Sequence, residues 1–465
     1  MAVVGAGPAG VYAADALTGQ DAIAVRVDVL DRLPTPFGLV RYGVAPDHPK
    51  IRSVSRTLQQ VLERPAVHFL GGVGLGRDVS AEELRAAYDA VVYSFGAATD
   101  RRLGIPGEDL PGSVPATEFV AWYCGHPDAP LADVTVGATK VAVVGVGNVA
   151  VDVARVLTRP AEDLLHTDIP HEVLEALTAS TVTDVHVLGR RGPAQASWTT
   201  KELRELGELT GVDVLVDPRE LELDAASAAQ VAASKALTRN LEILRGFAAR
   251  PATGARRRLH LRFLVRPVEV LGTERVQGLR VERTRLTESG LEGTGETSVL
   301  DVQLVLRSVG YLGVALPGVP FDASRGVIPN EGGRVLRDGT VSVGEYVTGW
   351  VRRGPTGVIG TNKGDAAETA AALLADAPEL LRGGPDPVGG AAGEADDDEA
   401  AGDEADDDEA AGDGLLRLLA ARGVRVVTLE DWARIEAAEE ALGITLGRSR
   451  VKLHSHDALK AALGG

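Results

Sequence analysis

The sequence predicts an α/β protein with two Rossmann-like dinucleotide-binding domains and a C-terminal α/β extension. Three observations carry that prediction. A short apolar strand, Ala2-Val3-Val4, runs into Gly5-x-Gly7-x-x-Gly10 and then an Ala-rich helical stretch. The same strand–turn–helix order returns at Lys140–Val144, followed by Gly145-x-Gly147-x-x-Ala150. The strand-like run after the first turn, residues 25–30, ends in Asp31, whereas the run after the second, Asp184–Leu188, ends in Gly189-Arg190-Arg191.

The glycines have separate physical tasks. Gly5 permits the tight turn, Gly7 lets backbone approach a pyrophosphate, and Gly10 lets the helix pack on the strand. The free N–H groups and dipole at the helix start then hold phosphate oxygens. A carboxylate such as Asp31 accepts hydrogen bonds from a ribose 2′-hydroxyl. It would repel a 2′-phosphate, which arginine forks hold instead. The first turn therefore reads as a site for an unphosphorylated adenosine ribose. The second, with Gly145, Gly147, Arg190 and Arg191, reads as an NADP site.

With 465 residues, the chain can fill roughly three domains of about 150 residues each. A composition of 45% hydrophobic and 25% charged residues is that of a globular protein with large cores. No run approaches the roughly 18 apolar residues of a membrane span, and no leader is expected ahead of a strand that starts at Ala2. One cysteine, Cys124, excludes an internal disulfide framework, a Cys-x-x-Cys redox pair and a cysteine-ligated iron–sulfur cluster. A reduced, cytoplasmic setting follows as the expectation. The net charge of −18 is concentrated: residues 394–403 and 404–413 both read EADDDEAAGD. With six acids and no base per copy, the pair accounts for −12 of the −18 and leaves −6 to the rest. Such a block cannot bury apolar area and is expected to be a disordered linker. The mildly acidic remainder shows no basic-aromatic interleaving, which argues against nucleic acid as a partner.

Residues 32–51, RLPTPFGLVRYGVAPDHPKI, are rich in Pro and Gly and predict a long irregular segment of the functional kind. A helix over 53–62, a strand over 67–70 and a helix after the cap Ser80 follow, then a buried strand over 90–94. The Gly/Pro cluster at 103–112 predicts a crossing between domains. Beyond the second turn, strand-rich text at 259–265, 276–283 and 302–308 predicts an antiparallel excursion. A strand over 341–348 runs into Gly349-Trp350 and a Gly-rich loop that opens a helix. That is the shape of a further ligand site at a helix start, with a plain connection as the alternative. Past the acidic block, a strand over 424–429 and a helix over 433–442 are expected.

Two nucleotide folds with opposite ribose signatures suggest a flavoprotein that takes hydride from NADPH. The longer runs VVGAGPAG, DRLPTPFGLVRYGVAPDHPKI, GIPGEDLPG, VVGVGNVAVDVAR, GRRGPAQASWTTKELREL, RSVGY and GWVRRGPTGVIGTNK resemble adrenodoxin-reductase-type ferredoxin–NADP⁺ reductases. The resemblance extends from residue 1 to about 375, and 415–465 looks like that family's C-terminal piece. It implies FAD at Gly5, Gly7, Ala9, Gly10 and Asp31, with Leu39 and Leu75 lining the cofactor. Glutamate is usual at the Asp31 position, and the shorter arm keeps the charge. Trp350 and the backbone of Gly357, Val358 and Ile359 would meet the flavin. NADP would meet Asn148 and Val149 at the helix start, Arg190 and Arg191 at the 2′-phosphate, and Arg101 from the preceding loop. His48 and Glu202 match the polar pair beside the nicotinamide and flavin rings, with positioning favoured over acid–base catalysis. The acidic duplication and Ser197-Trp198 depart from the family pattern.

The resemblance further implies that the NADP domain is an insertion into the FAD domain. The expected boundaries are 1–104 and 326–382 for the FAD domain, 105–325 for the NADP domain, 383–414 for the linker and 415–465 for the extension. The implied activity passes electrons one at a time from FAD to an iron–sulfur ferredoxin. Lys235, Arg239, Arg245, Arg250 and Arg256-Arg257-Arg258 form a basic stretch suited to an acidic partner, with a solvated helix face as the alternative. A glutamate-synthase small-subunit type would need a cysteine-rich cluster domain, and a disulfide reductase a cysteine pair. A flavin monooxygenase would need a substrate pocket, and a nucleotide-sensing interaction protein would use the acidic repeat.

Overall fold

A computed structural model describes residues 1–129, 137–382 and 407–464. Two sheets organise them. The first has seven strands in the order Asn330–Glu331, Arg334–Arg337, Thr340–Val347, Val91–Tyr93, Ala2–Val4, Val27–Asp31 and Val67–Gly71. The last five are parallel, and the first two join by antiparallel pairing at one edge. The second sheet has six parallel strands in the order Ser113–Pro115, Leu304–Arg307, Lys140–Val144, Asp184–Leu188, Arg257–Arg262 and Val212–Val216. Its strands all lie in sequence between Val91–Tyr93 and Asn330–Glu331 of the first sheet.

The central strands are buried on both faces, which is why they read as unbroken Val/Ala runs without alternation. Ala2, Val3, Val29, Val91, Val141, Ala142 and Val143 are all fully buried. The helix Pro8–Thr18 packs along Thr361–Leu380, and Ala13, Ala14 and Leu17 meet Ala366, Ala370 and Leu373 in one core. The expected helix after Ser80 is Ala81–Ala87, closed by a capping box in which Ser80 and Glu83 exchange hydrogen bonds. Among the described residues, no helix is long and apolar enough to cross a membrane.

Several expectations change. The 32–51 segment contains two short helices, Leu39–Tyr42 and Pro49–Arg52. The antiparallel excursion is a separate three-stranded sheet, Val265–Leu271, Gly278–Thr287 and Gly290–Leu300, while the runs expected in it at 259–265 and 302–308 mostly supply Arg257–Arg262 and Leu304–Arg307 of the parallel sheet. Its outer strand, GLEGTGETSVL, is largely exposed and polar, so it has no apolar alternation to find. The strand expected at 424–429 is reduced to one antiparallel bridge between Val427 and Gly71. Thr428 caps the next helix with Asp431, so that helix runs Leu429–Thr445 rather than 433–442 and ends the extended stretch early. The described extension is therefore helical, with Asp407–Ala421, Leu429–Thr445 and His456–Ala462, instead of α/β. The first acidic copy and residues 404–406 lie outside the described residues. From Asp407 onward the second copy is helical, so the expected linker ends earlier than 414.

The extension is fastened by charge as well as by packing. Glu439, with none of its surface exposed, lies between Arg41 of the 32–51 segment and Arg450. Arg448 donates to the carbonyls of Thr167 and Ile169, both at 2.7 Å. Lys452 donates to the carbonyls of Arg41 and Cys124, and burial pulls its pKa down to about 7. Glu439→Ala would strand Arg41 in the interior. Breaking one side of a buried pair costs about 3–5 kcal/mol, so a clearly lower unfolding midpoint is expected in urea or heat. A midpoint equal to that of the parent chain would remove Glu439 from this role.

Candidate functional site

The first turn is shaped by contacts that only glycine allows. Gly5 has φ +111°, and a Cβ there would fall 2.8 Å from the Ser94 carbonyl oxygen. A Cβ on Gly10 would fall 2.0 Å from the Gly5 oxygen. Gly7, in contrast, faces open space apart from the bare backbone of Gly38, so a ligand can lie directly against main chain here. The Asp31 carboxylate stands at the end of Val27–Asp31 and accepts the Ala6 N–H at 2.8 Å and the Leu33 N–H at 3.0 Å. Burial raises its pKa, and the two amides oppose that rise.

Residues far down the chain come back to this turn. Gly349, at φ +76°, sits so close to Ala9 that a Cβ would lie 2.5 Å from the Ala9 Cβ. Its N–H donates to Asp365 at 2.6 Å, and Arg352 pairs with the same carboxylate at 2.7 Å. Trp350 follows, tilted against Tyr311 with ring centroids 5.4 Å apart. Its Nε1 is buried and has no hydrogen-bond partner among the described residues. Gly357 holds a positive φ next to Thr361 at the start of Thr361–Leu380, with Val358 exposed and Ile359 half-buried. Leu39 is 39% exposed at the start of its short helix, and Leu75 is half-buried in a bridge to Val79. A bare glycine cradle, an acid at the strand end and an unpaired indole N–H together fit a flavin dinucleotide.

The second turn repeats the geometry with different chemistry. Gly145 has φ +134°, and a Cβ would fall 2.0 Å from the Ser308 oxygen. Gly147 opens the helix Asn148–Thr158, where Asn148 Oδ1 accepts the Thr199 N–H at 2.9 Å and Val149 is half-buried. Arg190 and Arg191 are exposed just past Asp184–Leu188. Among the described residues only their carbonyls are engaged, by Thr284 and Leu264. Arg101 is likewise exposed, its N–H bonded to Gly310. Forks left free at the end of this strand suit a 2′-phosphate.

His48 and Glu202 meet between the two turns. His48 heads the short helix Pro49–Arg52 in the loop beside the first turn, and its ring is 5% exposed. Glu202 sits in the first turn of Thr200–Leu206, which Thr199 caps. Their Nε2 and Oε2 are 3.3 Å apart. Asp152 stands 3.1 Å from the same nitrogen. Arg155, one turn along from Asp152, bonds Asp152 at 2.8 Å, Asp47 at 2.6 Å and Glu202 at 3.4 Å, and touches His48. Burial pulls the His48 pKa down, but the bonds to Asp152 and Glu202 outweigh it and lift it to about 9. Glu202 is held below its ordinary value against burial by His48 and Arg155. Glu205 completes the cluster, 3.9 Å from both His48 and Arg155. Asp47, Asp152, Arg155 and Glu205 escape a reading of the sequence alone. An Asp–Arg pair three residues apart on a helix looks like an ordinary surface ion pair.

Comparison with known proteins agrees with this geometry. The pyridine nucleotide-disulphide oxidoreductase family model matches residues 1–219. The NADPH-ferredoxin reductase FprA of Mycobacterium tuberculosis is 43% identical, covering 100% of this chain and 99% of its own. The mitochondrial NADPH:adrenodoxin oxidoreductase of Arabidopsis thaliana is 38% identical over 99% of this chain and 95% of its own. The solved structure of M. tuberculosis FprA in complex with NADPH superposes with a TM-score of 0.89 at 42% identity, covering 100% of this chain and 99% of that one.

A histidine held cationic by its partners stabilises the fold while protonated. That contribution is complete below the ordinary pKa of 6.5 and is lost as pH rises through about 9. Histidine-labelled NMR should show one resonance titrating near 9, and it should move to 6.5 or below in Asp152→Asn/Glu202→Gln. A wild-type His48 that titrates near 6.5 would contradict the cluster. At 43% and 38% identity over nearly the whole length of these relatives, the chain belongs to the family of FAD-dependent NADPH–ferredoxin reductases that includes FprA and the adrenodoxin reductases.

Proposed function

We propose that this chain takes hydride from NADPH and passes the electrons one at a time to a ferredoxin-type iron–sulfur protein. The observation that carries the proposal is the contrast between the two turns. One ends in the carboxylate Asp31 and the other in the free forks Arg190 and Arg191, with the His48 cluster between them. Bound FAD would supply the chemistry, accepting a hydride and releasing electrons singly.

The protein's part is binding and orientation. The N–H groups of Gly7, Ala9 and Gly10 at the start of Pro8–Thr18 would hold the flavin pyrophosphate, and Asp31 would take its ribose. Trp350 and the 357–359 backbone wall the cofactor from the far end of the chain. On the other side, Gly145, Gly147, Asn148 and Val149 take the second pyrophosphate, while Arg190, Arg191 and Arg101 take its 2′-phosphate. His48 and Glu202 act as positioning residues beside the reacting rings, fixed by Asp152 and Arg155. Cys124 is buried beside Arg52, so no thiol takes part. Electrons leave toward an acidic partner steered by exposed Lys235, Arg239 and Arg245 on the helix Lys235–Ala249. Arg257 and Arg258 drop out of that face, because they pair with the Thr158 carbonyl and with Asp184. We place the enzyme in the cytoplasm. We divide it at 1–104 with 326–382, 105–325 and 415–465, the expected units.

Arg190→Ala/Arg191→Ala tests the nucleotide assignment. Charge-assisted hydrogen bonds are each worth about 1.5–3 kcal/mol, so KM for NADPH should rise more than about tenfold while bound FAD and activity with NADH are retained. An unchanged KM for NADPH would remove the 2′-phosphate site. Reduction of cytochrome c by the wild-type enzyme should depend on added ferredoxin, and ferredoxin-independent turnover at the same rate would sink the partner assignment.

A further inference from the structure

We propose that Asp184, His186 and His260 form a binding site for a divalent transition-metal ion of the zinc class, on the open face of the six-stranded sheet. Asp184–Leu188 and Arg257–Arg262 are neighbouring parallel strands in which His186 is paired with His260 and Asp184 with Arg258. Side chains alternate along a strand. Val185, Val187, Leu259 and Leu261 therefore enter the helix-covered core, and Asp184, His186 and His260 share the opposite face. The small antiparallel sheet covers that face only farther along, at Ala142, Val144 and Leu188. Both imidazoles are left half-buried at its edge.

Three features point to an ion rather than to simple packing. The donor set is two nitrogens and one carboxylate oxygen, and the three ligand atoms lie within 4.8 Å of one another. An ion with bonds of about 2.0–2.2 Å holds its ligands roughly 3–3.5 Å apart. The rings now stack 4.3 Å apart at 18°, so one imidazole turns out of the stack when both nitrogens face one ion. His186 Nδ1 is buried with no hydrogen-bond partner among the described residues. Asp184 divides its oxygens usefully: Oδ2 takes Arg258 at 2.7 Å and Thr183 at 2.9 Å, while Oδ1 faces His260 Nε2 at 2.8 Å. The other nearby cations are matched elsewhere, Arg262 by Glu220 at 3.0 Å and Lys140 by Asp301 at 2.7 Å. Two histidines with one carboxylate suit zinc and its divalent neighbours, and the solvent side is left for water.

Flavin-loaded enzyme stripped with chelator should bind one equivalent of Zn²⁺ in competition with a chromophoric chelator. His186→Ala and His260→Ala should each weaken that binding more than about tenfold. His68→Ala, on the other sheet, should leave it unchanged. Retained flavin colour and NADPH oxidation verify that the variants fold. If either alanine variant loses its flavin, His186→Gln and His260→Gln decide by the same measure. No bound Zn²⁺, or binding equally strong in the His186 and His260 variants, overturns the site.

Discussion

One buried guanidinium joins the parts of this enzyme that have to face each other. Arg155 is 2% exposed, and such a charge is tolerable only where carboxylates surround it. Those carboxylates come from three places: Asp47 from the loop beside the first turn, Asp152 from Arg155's own helix, and Glu202 from Thr200–Leu206. His48 follows Asp47 in sequence, so the same contact that satisfies Arg155 fixes the histidine. The cation on His48 and the anion on Glu202 sustain each other, which explains why their pKa values move in opposite directions. The contact that joins the two glycine turns is thus electrostatic.

Around that contact the fold closes by long-range returns. Gly349 lies against Ala9, so the loop after Thr340–Val347 is set by the turn that opens the chain. The extension performs a similar task on the outside. Glu439 holds Arg41, and Arg448 reaches the 167–169 carbonyls, so one helical piece grips both the 32–51 segment and the inserted unit. A hydride acceptor and donor need a fixed separation, and these contacts supply rigidity where two domains would otherwise move freely.

What could be read in advance follows from how local each signal is. The glycine turns, Asp31 and the Arg190-Arg191 pair are legible because their chemistry is written within about 30 residues of one strand–turn–helix unit. The long runs identify the family, and the same runs contain His48, Glu202 and Trp350. Arg155 and Asp152 stayed hidden because burial reverses their meaning. On an exposed helix face the pair is ordinary, and only the approach of Asp47 and His48 makes it a hub. Gly290–Leu300 was invisible because an exposed edge strand has no apolar face. Residues 424–427 misled because a β-branched run that covers two cores needs only one bridge to do so.

In the proposed function, NADPH bound by the Arg190 and Arg191 forks faces a flavin held at the first turn. Anaerobic stopped-flow mixing of the purified yellow enzyme with each nicotinamide nucleotide reads this directly. Flavin absorbance should bleach much faster with NADPH than with NADH at equal concentration. Equal rates with the two nucleotides, or a purified protein without flavin, would contradict it.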